Sequence, residues 1–201
     1  NTSDPMGYMD WARASAPITV TPSNTATAGV CLPTAGAEEF GDMYFFNLFD
    51  NHADSLSGNY YDPEVAAEIA KIADKRTVRM VDHYTALTPV NDGFEVGMTY
   101  ANYNINVYTK NPQRYIQELA EYQAAANQNG FEDVTLGAFE INSGDYTGQI
   151  MVVIQAPTAV RLGEFFDAGE EAWNVAASAK FPKLRKLKRG FLMTCEIVYA
   201  R

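Results

Sequence analysis

The stretch that most constrains this chain is Gly97-Met-Thr-Tyr-Ala-Asn-Tyr-Asn-Ile-Asn-Val-Tyr-Thr109. Read with a period of two, one parity carries Ala101, Tyr103, Ile105 and Val107, and the other carries Tyr100, Asn102, Asn104, Asn106 and Tyr108. That alternation describes a strand with two chemically different faces, one apolar and one rich in amides. Asn111 and Pro112 follow where a helix N-cap and first helical residue belong, so the strand feeds directly into a helix.

The pattern continues regularly. The helix spans 112–129 with Tyr115, Leu119, Tyr122 and Ala126 on one face, and Gly130 ends it. Residues 133–141 read as a strand, Asn142-Ser-Gly-Asp145 as a hairpin turn, and 148–155 as a returning apolar strand. Pro157 and Thr158 open a second helix with the stripe Leu162, Phe165, Phe166, Gly169 and Trp173, and 191–200 is the last strand. Strand, helix, strand, strand, helix, strand is the split βαβ plan, an antiparallel sheet with both helices on one face.

On this element order, and on Gly130-Phe-Glu-Asp-Val-Thr-Leu-Gly137, similar to a glycine-containing turn between first helix and second strand, residues 95–201 resemble a ferredoxin-like domain of the dimeric α+β barrel superfamily. The resemblance implies an α+β fold that pairs two sheets, as a dimer or as a tandem repeat within one chain. It also implies a pocket between sheet and helices or inside the barrel. Enzymes of this kind act on aromatic or polyketide-like substrates as monooxygenases, isomerases or lyases, and some relatives hold haem. No family catalytic residue transfers to this sequence.

Before residue 95 the pattern is looser. Residues 1–36 are rich in Thr, Ser, Ala, Pro and Gly and read as an extended arm anchored by Tyr8, Met9 and Trp11, with short strands at 18–20 and 29–32. Residues 37–94 form a strand and helix segment, a degenerate first repeat in the tandem reading. It holds a strand at 43–49, a helix at 63–84 opened by Asp62-Pro63-Glu64, and a loop at 85–93.

The chain carries a formal charge of −10, which argues against nucleic acid as a partner. No apolar run approaches the ~20 residues of a membrane helix. Lys180-Phe-Pro-Lys-Leu-Arg-Lys-Leu-Lys-Arg189 gathers six of the fifteen basic residues, as a solvated connector, a clamp on the acidic body or an anion site. The start at Asn1 is compatible with a mature secreted or periplasmic product, the favoured expectation, or with a truncated chain. Cys31 and Cys195 are then either a disulfide or two buried thiols.

No motif calls for a cofactor or a metal site. The candidate ligand-binding residues are Tyr100, Asn102, Asn104 and Asn106, whose amides would line an interior and need partners there. The candidate acid–base residues are His52 and His83, the two histidines of the chain, a residue type suited to proton transfer near neutrality. His83 also reads as a helix C-terminal residue. Glu140 and Glu196 fall on strands and become bases only if burial raises them. The leading expectation is an exported protein of the α+β barrel type that binds a small molecule and is enzyme-like. The other is a secreted, self-assembling homo-oligomer whose N-terminal arm packs on neighbouring copies.

Overall fold

The computed structural model describes residues 1–58, 61–90 and 93–201. In chain order the elements are α1 (Pro5–Thr19), β1 (Thr27–Ala35), β2 (Tyr44–Leu48), α2 (His52–Ser57), α3 (Pro63–Ala70), β3 (Tyr84–Ala86) and β4 (Thr99–Tyr108). They continue as α4 (Pro112–Gln128), β5 (Thr135–Ile141), β6 (Ile150–Ala156), α5 (Ala159–Asp167), α6 (Ala172–Ser178), α7 (Phe181–Leu184) and β7 (Lys186–Ala200). The strands form one seven-stranded antiparallel sheet in the order β2-β1-β7-β4-β6-β5-β3. Its centre, β7-β4-β6-β5 with the connecting helices, is the ferredoxin-like βαββαβ unit expected from the sequence.

The two parities of β4 separate as predicted. Ala101, Ile105 and Val107 are buried with Tyr115, Leu119, Tyr122 and Ala126 of α4 and Leu162 and Phe165 of α5. Asn111 caps α4 by accepting from the Arg114 amide at 3.1 Å, and Gly130 leaves the helix at φ +84°. The helix after β6 breaks into α5, α6 and α7, and the predicted stripe falls on α5, a 3-10 turn at 168–170 and the start of α6. The basic stretch is an intramolecular clamp. Lys180 lies 2.9 Å from Glu118, Arg185 donates to the Tyr115 hydroxyl at 2.7 Å, and Arg189 lies 2.8 Å from Glu38.

Two expectations fail. Residues 1–36 are not an extended arm: 5–19 are helical despite Pro17, because Tyr8, Met9, Ala12 and Ala16 bury against Ala28, Val30 and Val198 on the helix-bearing face of the sheet. Asp4 accepts from the Gly7 amide at 2.9 Å, and Pro5 starts the helix where no N–H is needed. The short strand expected at 18–20 is the end of this helix and the turn after it, whereas 29–32 lies inside β1. The predicted helix 63–84 stops at Ala70, followed by a 3-10 turn at 73–75. Beyond it the chain is drawn into extended pairing. Arg76 bridges Thr2, the Thr77 amide donates to Asn1, and Arg79 is held by Asp42 and Glu38. His83 therefore precedes a strand and caps no helix, and Thr85 and Ala86 of the expected loop lie in β3. Positions 91 and 92 of that loop lie outside the described residues.

Residues 1–90 thus supply β1 and β2 to one edge of the sheet and β3 to the other. The sheet curls, bringing the imidazole of His52, just after β2, within 5.3 Å of that of His83, just before β3.

Candidate functional site: the concave face of the sheet

The candidate ligand residues stand together on the face of β4 turned away from the helices. Asn102, Asn104 and Asn106 are 7, 6 and 3% exposed, and Tyr100 is buried beside them. β7 places Cys195, Met193, Phe191 and Arg189 opposite Tyr100, Asn102, Asn104 and Asn106 in turn. On the other side β6 places Gln155, Val153 and Met151 against the three asparagines. Cys195 is joined to Cys31 across β1 and β7. Phe94 covers Tyr100 with ring centroids 5.9 Å apart.

The amides are poorly served by the protein. Asn102 Nδ2 points at the Cys195 sulfur at 3.8 Å, and Asn104 Nδ2 points at the Met151 sulfur at 3.4 Å. Sulfur is a weak acceptor. The Oδ1 atoms of Asn102, Asn104 and Asn106 are buried and accept no hydrogen bond from the described residues. Each such orphan costs about 1–3 kcal/mol. Three in one line make a row of acceptors facing the same way, since alternate residues of a strand share a face.

At the Asn106 end the row meets a satisfied polar cluster. Arg189 donates to the Tyr44 hydroxyl at 2.8 Å, its guanidinium lies 4.6 Å from the Phe191 ring centroid, and Tyr146 donates to Glu38. That hydrogen bond, reinforced by Arg189 and Arg79, holds the Glu38 carboxyl below the usual range. Burial pushes the Tyr84 phenol up to about 12, with the Asp82 and Tyr44 charges adding to it. Burial, helped by Asp145, also raises Asp82. Desolvation alone raises the Tyr100 phenol, so it stays protonated as a donor.

His52 and His83 are brought together, but they are not beside the asparagines in the sheet: β5 and β6 intervene between β3 and β4. Glu196 is no raised base. Arg13 binds it through two hydrogen bonds of 2.7 and 2.8 Å, which lower its pKa. Glu140 is exposed.

The helix side of the sheet contains a cavity in one of the two places the resemblance implied, with a lining that sequence reasoning did not assign. A cavity of about 100 Å³ lies between Ile105 and Val152 of the sheet and Leu119, Tyr122, Phe181 and Arg185 of the helical layer. Tyr122 donates to the buried Asn174 at 3.0 Å, and the Arg185 guanidinium lies 4.8 Å from the Phe181 ring centroid. Ile105 also lines an open groove of about 180 Å³ at the β4/β7 bulge, with Tyr103 and residues 187–190. Gly190 makes room there, since a Cβ would come within 2.7 Å of the Tyr103 hydroxyl. The apolar residues were legible as a helix face. A gap between layers depends on how side-chain volumes fit and leaves no sequence pattern.

No protein-family model and no curated protein matches the chain. Solved structures do. A candidate monooxygenase from Lactobacillus acidophilus NCFM superposes with a TM-score of 0.61 at 7% identity, over 98% of this chain and 88% of that one. The likeness is one of fold, an α+β chain with a curled antiparallel sheet and helices on one face. An anthrone oxidase-like protein gives 0.56 at 13% identity, over 100% of this chain and 88% of that one. A second candidate monooxygenase, from Fusobacterium nucleatum subsp. nucleatum ATCC 25586, gives 0.55 at 6% identity, over 99% and 88%. In this chain the concave face of the sheet carries the amides left unpartnered by the described residues, and the helix side carries the cavity between layers.

Proposed function

We propose that this chain is an exported, small-molecule-binding, enzyme-like protein of the dimeric α+β barrel superfamily, and that its ligand lies on the concave face along Asn102, Asn104 and Asn106. The observation that carries this reading is the three buried, unpartnered Oδ1 atoms on one strand face. A ligand offering O–H or N–H donors would meet them, and Met151, Phe191 and Met193 supply apolar walls beside them. The Cys31–Cys195 disulfide supports export, because such bonds persist in oxidising compartments. Residues 37–94 fit a reduced first repeat, adding strands to one sheet in place of a second sheet. The self-assembly reading needs residues 1–36 free to reach other copies, whereas α1 is buried against β1 and β7 of its own chain.

The test is native mass spectrometry of the protein purified from its source, beside an Asn102→Ala/Asn104→Ala variant. An adduct that leaves on denaturation and is lost in the folded variant supports the concave site. An adduct that survives in the variant refutes it. The second reading places the ligand in the helix-side cavity, favoured by its apolar lining and by the Arg185 cation in its wall. Val152→Phe, which fills that cavity, would then remove the adduct while the double asparagine variant kept it.

A further inference from the structure

We propose that His52 and His83 form a transition-metal site that ties together the two edges of the curled sheet. They are the two histidines of the chain, they lie 31 positions apart in sequence, and folding sets their ring centroids 5.3 Å apart with a 46° tilt. Two imidazoles on one ion, with metal–nitrogen bonds of about 2.0–2.1 Å, place their centroids about 5 Å apart. The observed centroid spacing matches that of two imidazoles on one ion.

Three further features fit a metal better than an idle ring contact. His83 Nε2 is buried and has no hydrogen-bond partner among the described residues. Its other nitrogen, Nδ1, lies 3.3 Å from the Asn142 side-chain amide, and Asn142 is itself held by Thr85 at 2.7 Å. As placed, the Asn142 Nδ2 faces His83 Nδ1; with that amide turned over, its carbonyl accepts from Nδ1–H and leaves the Nε2 lone pair for the ion. The Thr85 hydroxyl can then donate to the same carbonyl, so either amide orientation keeps its partner. This is the outer-shell arrangement that fixes the tautomer of a metal-bound histidine. Finally, the backbone around His83 is anchored, its N–H donating to the Ser143 hydroxyl at 2.8 Å and its C=O accepting from the Asn142 amide.

The position gives the ion a structural consequence. His52 follows β2 and His83 precedes β3, and β2 and β3 are the outer strands of the sheet order. An ion held by both would close the curl across its seam. No cluster of three or more His, Cys, Asp or Glu side chains is placed to hold a metal among the described residues, so water completes the coordination. A two-imidazole site of this kind favours Cu²⁺ over Ni²⁺ and Zn²⁺ and does not take Mg²⁺. Both cysteines are in the disulfide, so no thiolate competes.

The experiment is a calorimetric titration of the full chain with CuCl₂, followed by electron paramagnetic resonance of the loaded protein. The expected result is one Cu²⁺ per chain, two-nitrogen hyperfine structure, and an affinity at least about tenfold weaker in each of His52→Ala and His83→Gln. His52 is exposed and its removal leaves the core intact, so a folding failure at His83 would not hide the answer. Unchanged affinity in His52→Ala, or a spectrum with oxygen ligands alone, would overturn the proposal.

Discussion

The two faces of β4 belong to one strand and obey different rules. On the helix side Ala101, Ile105 and Val107 are packed by α4 and α5, every side chain meeting its own kind. On the concave side Asn102, Asn104 and Asn106 are as deeply buried, yet their carbonyl oxygens have no donor among the described residues. The first face specifies the fold. The second costs stability and returns none from within the chain, as expected of positions kept for a ligand.

This contrast can be broken or sharpened by experiment. The largest effect should come from the disulfide, which anchors the concave face. Cys31→Ala/Cys195→Ala is expected to lose about 2–5 kcal/mol of unfolding free energy, read from urea denaturation. On the helix side, Leu119→Ala should cost about 2–5 kcal/mol by the same measurement, through the lost methyls and the space left behind. Asn104→Leu should go the other way or stay level, gaining up to about 1–3 kcal/mol in ligand-free protein, since an orphaned acceptor is removed. A clear loss there would erase the distinction between the faces.

The smallest effect concerns pH. Burial alone would raise the Asp42 carboxyl, but hydrogen bonds from Arg79, the Glu39 amide and Asn1 bring it down to about 2. A depressed carboxylate stabilises the fold above its ordinary pKa of about 3.8–3.9, and that contribution is lost as pH falls towards 2. In Arg79→Ala the contribution should shrink, so that the gap in thermal midpoint between variant and parent narrows from pH 5 to pH 2. A gap that stayed constant over this range would place the effect of Arg79 elsewhere.

The central unit was legible because its signals were local. The parity of β4, the Asn111-Pro112 helix start and the turn at 142–145 each fix an element within a few residues. The first 90 residues were legible only in part, at the strand 44–48 and the helix start Asp62-Pro63, because elsewhere tertiary contacts override propensity. Pro17 argues against a helix that burial of Met9 and Ala16 then maintains. The helical spacing of Met80 and Tyr84 continued a pattern that Arg79, bound to Asp42, and Thr77, bonded to Asn1, pull into extended chain. The asparagine row could be read as one face of a strand, but not that its oxygens would be unmet. Nor could the meeting of His52 with His83, which depends on the curl of the whole sheet.

The most direct measurement is a crystal structure of the protein purified from its source with whatever it carries. Density for a small molecule is expected on the concave face, with donors within hydrogen-bond distance of at least two of the Asn102, Asn104 and Asn106 carbonyl oxygens. Oxygens met instead by protein donors, or ligand density confined to the cavity beside Tyr122 and Arg185, would contradict this expectation.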